Sequence, residues 1–172
     1  MSDRIRYAWG SSSLGDFLVA ASDKGLVAFE FGNEWEGLLD TLQERLPEAM
    51  LEPDDIGLAE AVTKLARLID HPEEDPGLAL DPRGNGYQLK VWQLLREIPA
   101  GEITSYGALA ARLGTRDPRD LTKAIADNAL AILIPCHRVL KKDGSISGYR
   151  WGVRRKRALL ERERLAVAQR AA

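Results

Sequence analysis

The chain has 172 residues, 45% of them hydrophobic and 29% charged, enough apolar content for one domain or two small ones to bury a core. No apolar run approaches the roughly 18 residues that a membrane-spanning helix needs, and the opening MSDRIRYAWG lacks the basic-then-apolar layout of a secretory signal, so no membrane association and a cytoplasmic location are expected. A single cysteine excludes an internal disulfide, and two histidines far apart argue against a Cys/His zinc site.

Residues 5–31 read as β-structure. DFLVAAS and LVAFEF are apolar runs separated by DKG, a hairpin signal in which Gly25 takes a positive φ. Trp35, Leu38, Leu39, Leu42 and Leu46 recur at helical spacing over 34–46, and PEAMLEPDD follows as a connector. Leu58, Val62, Leu65 and Leu68 mark a second amphipathic helix near 56–70. DHPEEDPG is a polar loop, and LALDPRGNG reads as a short strand and a linker. A domain boundary is therefore expected near residue 83, dividing the chain into 1–83 and 84–172.

The second half reads as helical. Val91, Leu94, Leu95 and Ile98 define a helix that PAG stops, and SYGALAARLG is a short helix closed by Gly114. Asp117 is the expected N-cap and Pro118 the first residue of another helix, running to about Asp127. Two short helices around a Gly-containing turn resemble a helix-turn-helix, whose second helix enters a DNA groove. AILI (131–134) is expected to be buried and extended until Pro135 breaks it. A last helix covers about Val153 to Ala168, and RRKR (154–157) reads as its solvated face.

The net charge of −2 conceals a division. Residues 1–85 carry 7 basic and 18 acidic side chains, a balance of −11, whereas residues 86–172 carry 17 and 8, a balance of +9. Either the second half binds a polyanion, or two solvated faces of opposite sign attract each other.

The lone Cys136 lies in ILIPCHRVL, where an aliphatic run ends. A free thiol is mostly protonated and unreactive at neutral pH, so a nucleophilic cysteine needs a base or a positive environment. His137, Arg138, Lys141 and Lys142 offer both. Adjacent side chains diverge in extended structure, so His137 would act through a water, with a carboxylate orienting the ring. The other reading is a small packed residue beside a chance histidine. The nonapeptide alone leaves both open.

IPCHRVL followed by DGSISGYRWGVRRKRALLERE resembles the active-site region of the O6-alkylguanine-DNA alkyltransferase family, and is similar to the C-terminal part of its bacterial adaptive-response member. GYQLKVWQLLREIPAGEITSYGALA and SSLGDFLVAASDKGLVAFEF resemble further family segments, so the likeness covers nearly the whole chain. The resemblance implies an α+β fold: a small ribonuclease H-like α/β domain with a short antiparallel sheet, then a helical domain with a winged helix-turn-helix. It implies direct-reversal repair, in which Cys136 takes the alkyl group of O6-alkylguanine, or of O4-alkylthymine, and is spent. A monomer on the minor groove of double-stranded DNA, with no cofactor, is expected. The adaptive-response protein's zinc-bearing N-terminal region has no counterpart here, so transcriptional activation through it is not expected.

By position, the resemblance makes His137 the proton acceptor, Glu163 rather than Glu161 its orienting carboxylate, and Asn128 the hinge between recognition helix and active-site segment. Tyr106 would crowd a phosphate and contact the flipped base. Arg119, with Arg116 as rival, would fill the gap in the stack. Arg138 is placed among the DNA-contacting residues. Val139 would offer its carbonyl to guanine, Tyr149 would pack by the pocket, and Arg150 would present its backbone N–H to the guanine O6. Asp120, Thr122, Lys123 and Asp127 stand where family members carry mostly small residues, which should weaken docking on ordinary duplex. A rival function, a lesion sensor without chemistry, is disfavoured by the presence of Cys136. A cysteine hydrolase is disfavoured by the absence of an obvious oxyanion arrangement.

Overall fold

A computed structural model describes residues 3–114 and 117–171. Its first half is a four-stranded sheet ordered β3-β2-β1-β4, built from β1 (Asp3–Gly10), β2 (Phe17–Ala21), β3 (Leu26–Phe31) and β4 (Ala49–Pro53). The first three strands are antiparallel, and β4 joins the edge of β1 in parallel. That fourth strand corrects the expectation of a connector: AMLEP has no apolar alternation and contains a proline, which an edge position tolerates. Every residue of β2 and β3 is buried, which explains their nearly unbroken apolar sequences.

One face of the sheet, with Ile5, Leu18 and Ala28, packs on helix α1 (Trp35–Arg45) through Leu42. The other face, with Phe17, Val19 and Phe29, shares one apolar cluster with helix α2 (Ala59–Asp70) and with the second half of the chain. Gly25 has a φ of 159°, yet space is what demands glycine: a Cβ would meet the Ala79 carbonyl oxygen at 2.6 Å. LALDPRGNG forms only a single parallel bridge, Leu80 to Leu26, before an irregular segment that contains residue 83.

Helix α3 (Gly86–Arg96) starts at Asn85, whose side chain accepts from the Gln88 N–H while Gln88 returns the bond, a reciprocal cap. Helix α4 (Tyr106–Leu113) is capped by Ser105 and ends at Gly114 in the left-handed region, φ 68°. Helix α5 (Pro118–Ala126) has Asp117 as N-cap and Pro118 at its start, as the sequence indicates. Trp92 of α3 donates its indole N–H to the Ala124 carbonyl at 2.8 Å, tying α5 to the core. Arg116 lies outside the described residues.

Residues 131–134 are not extended, and all but the half-buried Leu133 are buried. They form a tight turn in which Ile132 has φ 65°, a sterically costly conformation for a β-branched residue, held by burial on all sides. The turn hangs on the sheet edge: Phe29 donates its N–H to the Ala129 carbonyl, and Ala131 donates to the Phe29 carbonyl. A 3₁₀ turn, Cys136–Arg138, follows Pro135. Two-residue strands β5 (Thr104–Ser105) and β6 (Val139–Leu140) then pair in parallel, and helix α6 (Val153–Ala171) closes the fold. Among the described residues no helix is long and apolar enough to cross a membrane.

Candidate active site

Proline cannot continue a ladder, so Pro135 redirects the chain into the 3₁₀ turn that carries Cys136 and His137. The Cys136 thiol is 5% exposed and lines a pocket of about 510 Å³, a size suited to a small planar ligand. The walls come from four places in the chain: Tyr106 of α4, Thr122 and Ile125 of α5, Lys141, and the segment Ser147–Arg150.

Asn128 holds the thiol from behind. Its amide N–H₂ lies 3.3 Å from Cys136 Sγ and donates to the Ile134 carbonyl at 2.9 Å, while its Oδ1 accepts from the Leu130 N–H. One buried side chain thus fixes the end of α5, the strained turn and the sulfur together. Burial pushes the Cys136 thiol up to about 11, against the Asn128 bond and the charges of Lys156 and Arg150. At neutral pH the resting sulfur is therefore a protonated thiol.

Glu163 and His137 are completely buried and 2.7 Å apart, Oε1 to Nε2. Arg138 donates to both Glu163 oxygens. Burial raises the Glu163 carboxyl, but the bonds from His137 and Arg138 outweigh it and hold the group below its ordinary value. An ionised carboxylate only accepts, so Nε2 must carry the hydrogen. The other ring nitrogen, Nδ1, then bears a bare lone pair, and it is buried with no partner among the described residues. Burial also lowers the His137 pKa, so the ring is neutral at physiological pH. Glu161, two residues away, is exposed and pairs with Arg164 on the surface. The register of α6 separates the two glutamates: Lys156, Leu159 and Glu163 face inward at i, i+3, i+7.

Other residues are placed differently from expectation. Arg138 is buried, occupied by Glu163 and by the carbonyls of Ile98 and Pro72, so it braces the carboxylate from inside instead of meeting DNA. The Val139 carbonyl already accepts from Lys156 Nζ at 2.6 Å. Lys156, read as part of a solvated face, is 1% exposed and also donates to Ser147 Oγ at 3.0 Å. Burial lowers its pKa, and the nearby Cys136 acts in the opposite sense. Its neighbour Arg155 is half-buried over Phe31 and donates to the Leu14 carbonyl, so RRKR is only partly solvent-facing. The i, i+3, i+7 stripe with Leu159 and Glu163 was the signal for Lys156.

Tyr106 reaches the pocket with its hydroxyl 2.7 Å from Ser147 Oγ. Tyr149 has a buried hydroxyl without a partner, and burial raises its pKa well above the ordinary value. The Arg150 side chain turns away to Glu30 of β3, with Nε at 2.9 Å and Nη2 at 2.8 Å from the same oxygen. Sequence reasoning missed this partner because it lies 120 residues away. Arg119 stands on the open face of α5 and, among the described residues, pairs with its own N-cap Asp117.

A buried cysteine and a buried histidine oriented by Glu163 thus lie on one short turn beside a pocket. Two family models describe the chain: the ribonuclease-like domain of 6-O-methylguanine DNA methyltransferase matches residues 5–81, and its DNA binding domain matches residues 86–165. The bifunctional transcriptional activator/DNA repair enzyme Ada of Escherichia coli is 42% identical over 160 residues, 92% of this chain but 45% of its own length. The inducible methylated-DNA–protein-cysteine methyltransferase of Bacillus subtilis is 32% identical over 156 residues, 90% of this chain and 87% of that protein. Among solved structures, Mycobacterium tuberculosis OGT in complex with DNA superposes with a TM-score of 0.73 at 32% identity, covering 94% of this chain and 93% of that one. The chain belongs to the 6-O-methylguanine DNA methyltransferase family. It spans less than half the length of the Ada proteins it matches.

Proposed function

We propose that this protein repairs DNA by direct reversal, moving an alkyl group from the O6 of guanine in duplex DNA onto Cys136, once per molecule. The single observation that carries the reading is the Cys136 thiol on a base-sized pocket, with the His137–Glu163 pair beside it leaving Nδ1 free. Alkylated guanine inside a stack cannot reach a buried sulfur, so the nucleotide must be flipped into the pocket. The thiol proton passes to His137 Nδ1 through a water, and Glu163 stabilises the imidazolium that results. The sulfur attacks the alkyl carbon in line, the carbon–O6 bond breaks, and the departing guanine anion takes a proton from water at its ring N1 while the imidazolium gives its own back to water. The thioether has no good leaving group, so the protein is consumed.

Docking through the minor groove by α5, as a monomer, fits the +9 balance of residues 86–172 and the exposure of Arg119 on α5. Tyr106, Tyr149 and the backbone of Arg150 would contact the flipped base, and Arg119 would fill the gap in the stack. The division near residue 83 into a sheet domain and a DNA-binding domain belongs to the same reading, as does work in the cytoplasm. The name of the Bacillus subtilis relative, a methylated-DNA–protein-cysteine methyltransferase, agrees with it. Titrating the protein against a duplex with one O6-methylguanine should remove one methyl group per protein molecule. Removal of many per molecule, or of none, would refute the proposal.

A further inference from the structure

Glu30 sits on β3, in the half of the molecule that holds no reacting group, and it is 1% exposed. One of its oxygens takes both Nε and Nη2 of Arg150, and the other is buried with no partner. A buried carboxylate in an apolar strand is costly unless a cation answers it. Nothing in the transfer chemistry above uses it.

The place of Arg150 shows what the pair does. Arg150 lines the pocket over Cys136, and it also lines a second cavity of about 500 Å³ bounded by Arg45, Gln88, Trp92 and Asp127. Arg150 therefore stands between two open spaces. Its Nη1 points to the Ala126 carbonyl, 3.4 Å away at the end of α5. The segment Lys141–Gly152, which carries Gly148, Tyr149 and Arg150 to the pocket, contains no helix or strand that would hold it by itself.

The strand supporting Glu30 holds the other side of the site as well. Phe29, its neighbour, carries the backbone bonds to Ala129 and Ala131 that fix the turn before Cys136. Arg45 of α1 donates to the Asp127 carbonyl at 2.7 Å and so grips the C-terminal end of α5. Two consecutive residues of one strand thus fix the nucleophile's segment and the pocket's opposite wall in a common frame.

We infer that Glu30 is a positioning residue for alkyl transfer: through Arg150 it sets the separation between the Gly148–Arg150 wall and Cys136. The inference rests on the reading of Cys136 as alkyl acceptor. Its test is a cycle of Glu30→Leu, Arg150→Met and the double variant, with single-turnover transfer from an O6-methylguanine duplex measured over a range of DNA concentrations. Glu30→Leu should slow the saturated rate about tenfold, with the half-saturating DNA concentration little changed, because the pocket loosens while the docking face is untouched. In the Arg150→Met background the same change should add less than about twofold, the signature of residues acting as one unit. Glu30→Gln, which keeps an acceptor at Arg150, should recover part of the rate, to within about threefold of the parent. If Glu30→Leu does not yield folded protein, the cycle run with Glu30→Gln decides: a loss of about threefold in the parent and none beside Arg150→Met. An unchanged saturated rate, or an equal loss with and without Arg150, would overturn the inference. Absence of transfer by the parent protein would instead refute the reading of Cys136.

Discussion

The buried centre and the outer face of α5 handle charge in opposite ways. At the centre, Glu163, His137, Arg138 and Lys156 are almost wholly excluded from water, and each is tied to a partner from a distant part of the chain. On α5, Arg119 pairs with Asp117 two residues away and Lys123 with Asp127 one turn away, both largely in solvent. Pairs of the first kind are expensive to break, because the survivor is left charged and dry. Pairs of the second kind are worth little and exchange readily for phosphate. Charge at the centre is thus fixed in place, while charge on the outer face of α5 is left free to rearrange.

The largest effect expected on this contrast comes from the sulfur. Cys136→Ser should abolish transfer while duplex affinity changes less than about twofold, since the pocket and α5 keep their shape. Gel-shift titration alongside a transfer assay checks both halves. Transfer by the serine variant would remove Cys136 from the mechanism.

Next comes the carboxylate. Glu163→Gln should slow transfer about a hundredfold or more and cost about 3 kcal/mol of stability, because Arg138 loses its counter-charge and His137 its orienting acceptor. Glu161→Gln should stay within about 0.5 kcal/mol and leave the rate unaltered. Equal effects of the two substitutions, by stopped transfer and denaturant melts, would erase the distinction between buried and surface carboxylates.

These two glutamates also mark what the sequence made legible. The family resemblance singled out Cys136, His137, Asn128 and Glu163, and the structure joins them in two bonded pairs, Asn128 with the Cys136 sulfur and His137 with Glu163. The hairpin and the six α-helices among the described residues were visible from periodicity, because amphipathic stripes and caps are local signals. What escaped depends on distance in the chain. β4 pairs with β1 from more than 40 residues away and lacks alternation of its own. The aliphatic run 131–134 looks extended, since composition reports burial and not dihedral angle. Lys156 was hidden in a basic run, and Arg138 looked like a DNA contact because arginines commonly are; only the fold reveals that each points inward.

A smaller effect concerns pH. The lowered His137 and Glu163 pKa values favour the folded protein above the unfolded values, and that contribution is lost as pH falls through the folded ones. The Cys136 thiol, raised to about 11, works in the other direction: its contribution is full below the unfolded value of 9.0 and is lost as pH rises towards 11. Stability should therefore be level between about pH 7 and 9 and fall on both sides. The transfer rate should hold down to the ordinary histidine value of 6.5 and decline only below it. Melts of the serine variant should lack the part of the decline that begins near pH 9, and keep the part that Tyr149 adds above its ordinary value of 10.0; an identical decline would place its origin elsewhere.

The smallest effect lies on α5. Asp120 repels phosphate, and Thr122, bonded back to the Pro118 carbonyl, adds bulk where the helix meets the pocket mouth. Asp120→Ala/Thr122→Ala should tighten binding to undamaged duplex a few-fold, about 0.5–1 kcal/mol, with no change in the rate on a free O6-alkylated guanine base. Unchanged or weaker duplex binding would mean that α5 meets DNA by another face.

The central claim, that the centre is a one-use alkyl acceptor, is tested most directly by locating the transferred group. After incubation with an excess of O6-methylguanine duplex, peptide mass mapping should place one methyl group on the peptide containing Cys136 and on no other, with no further transfer once every molecule is labelled. A methyl group elsewhere, or continued demethylation of DNA by protein already labelled at Cys136, would contradict the account.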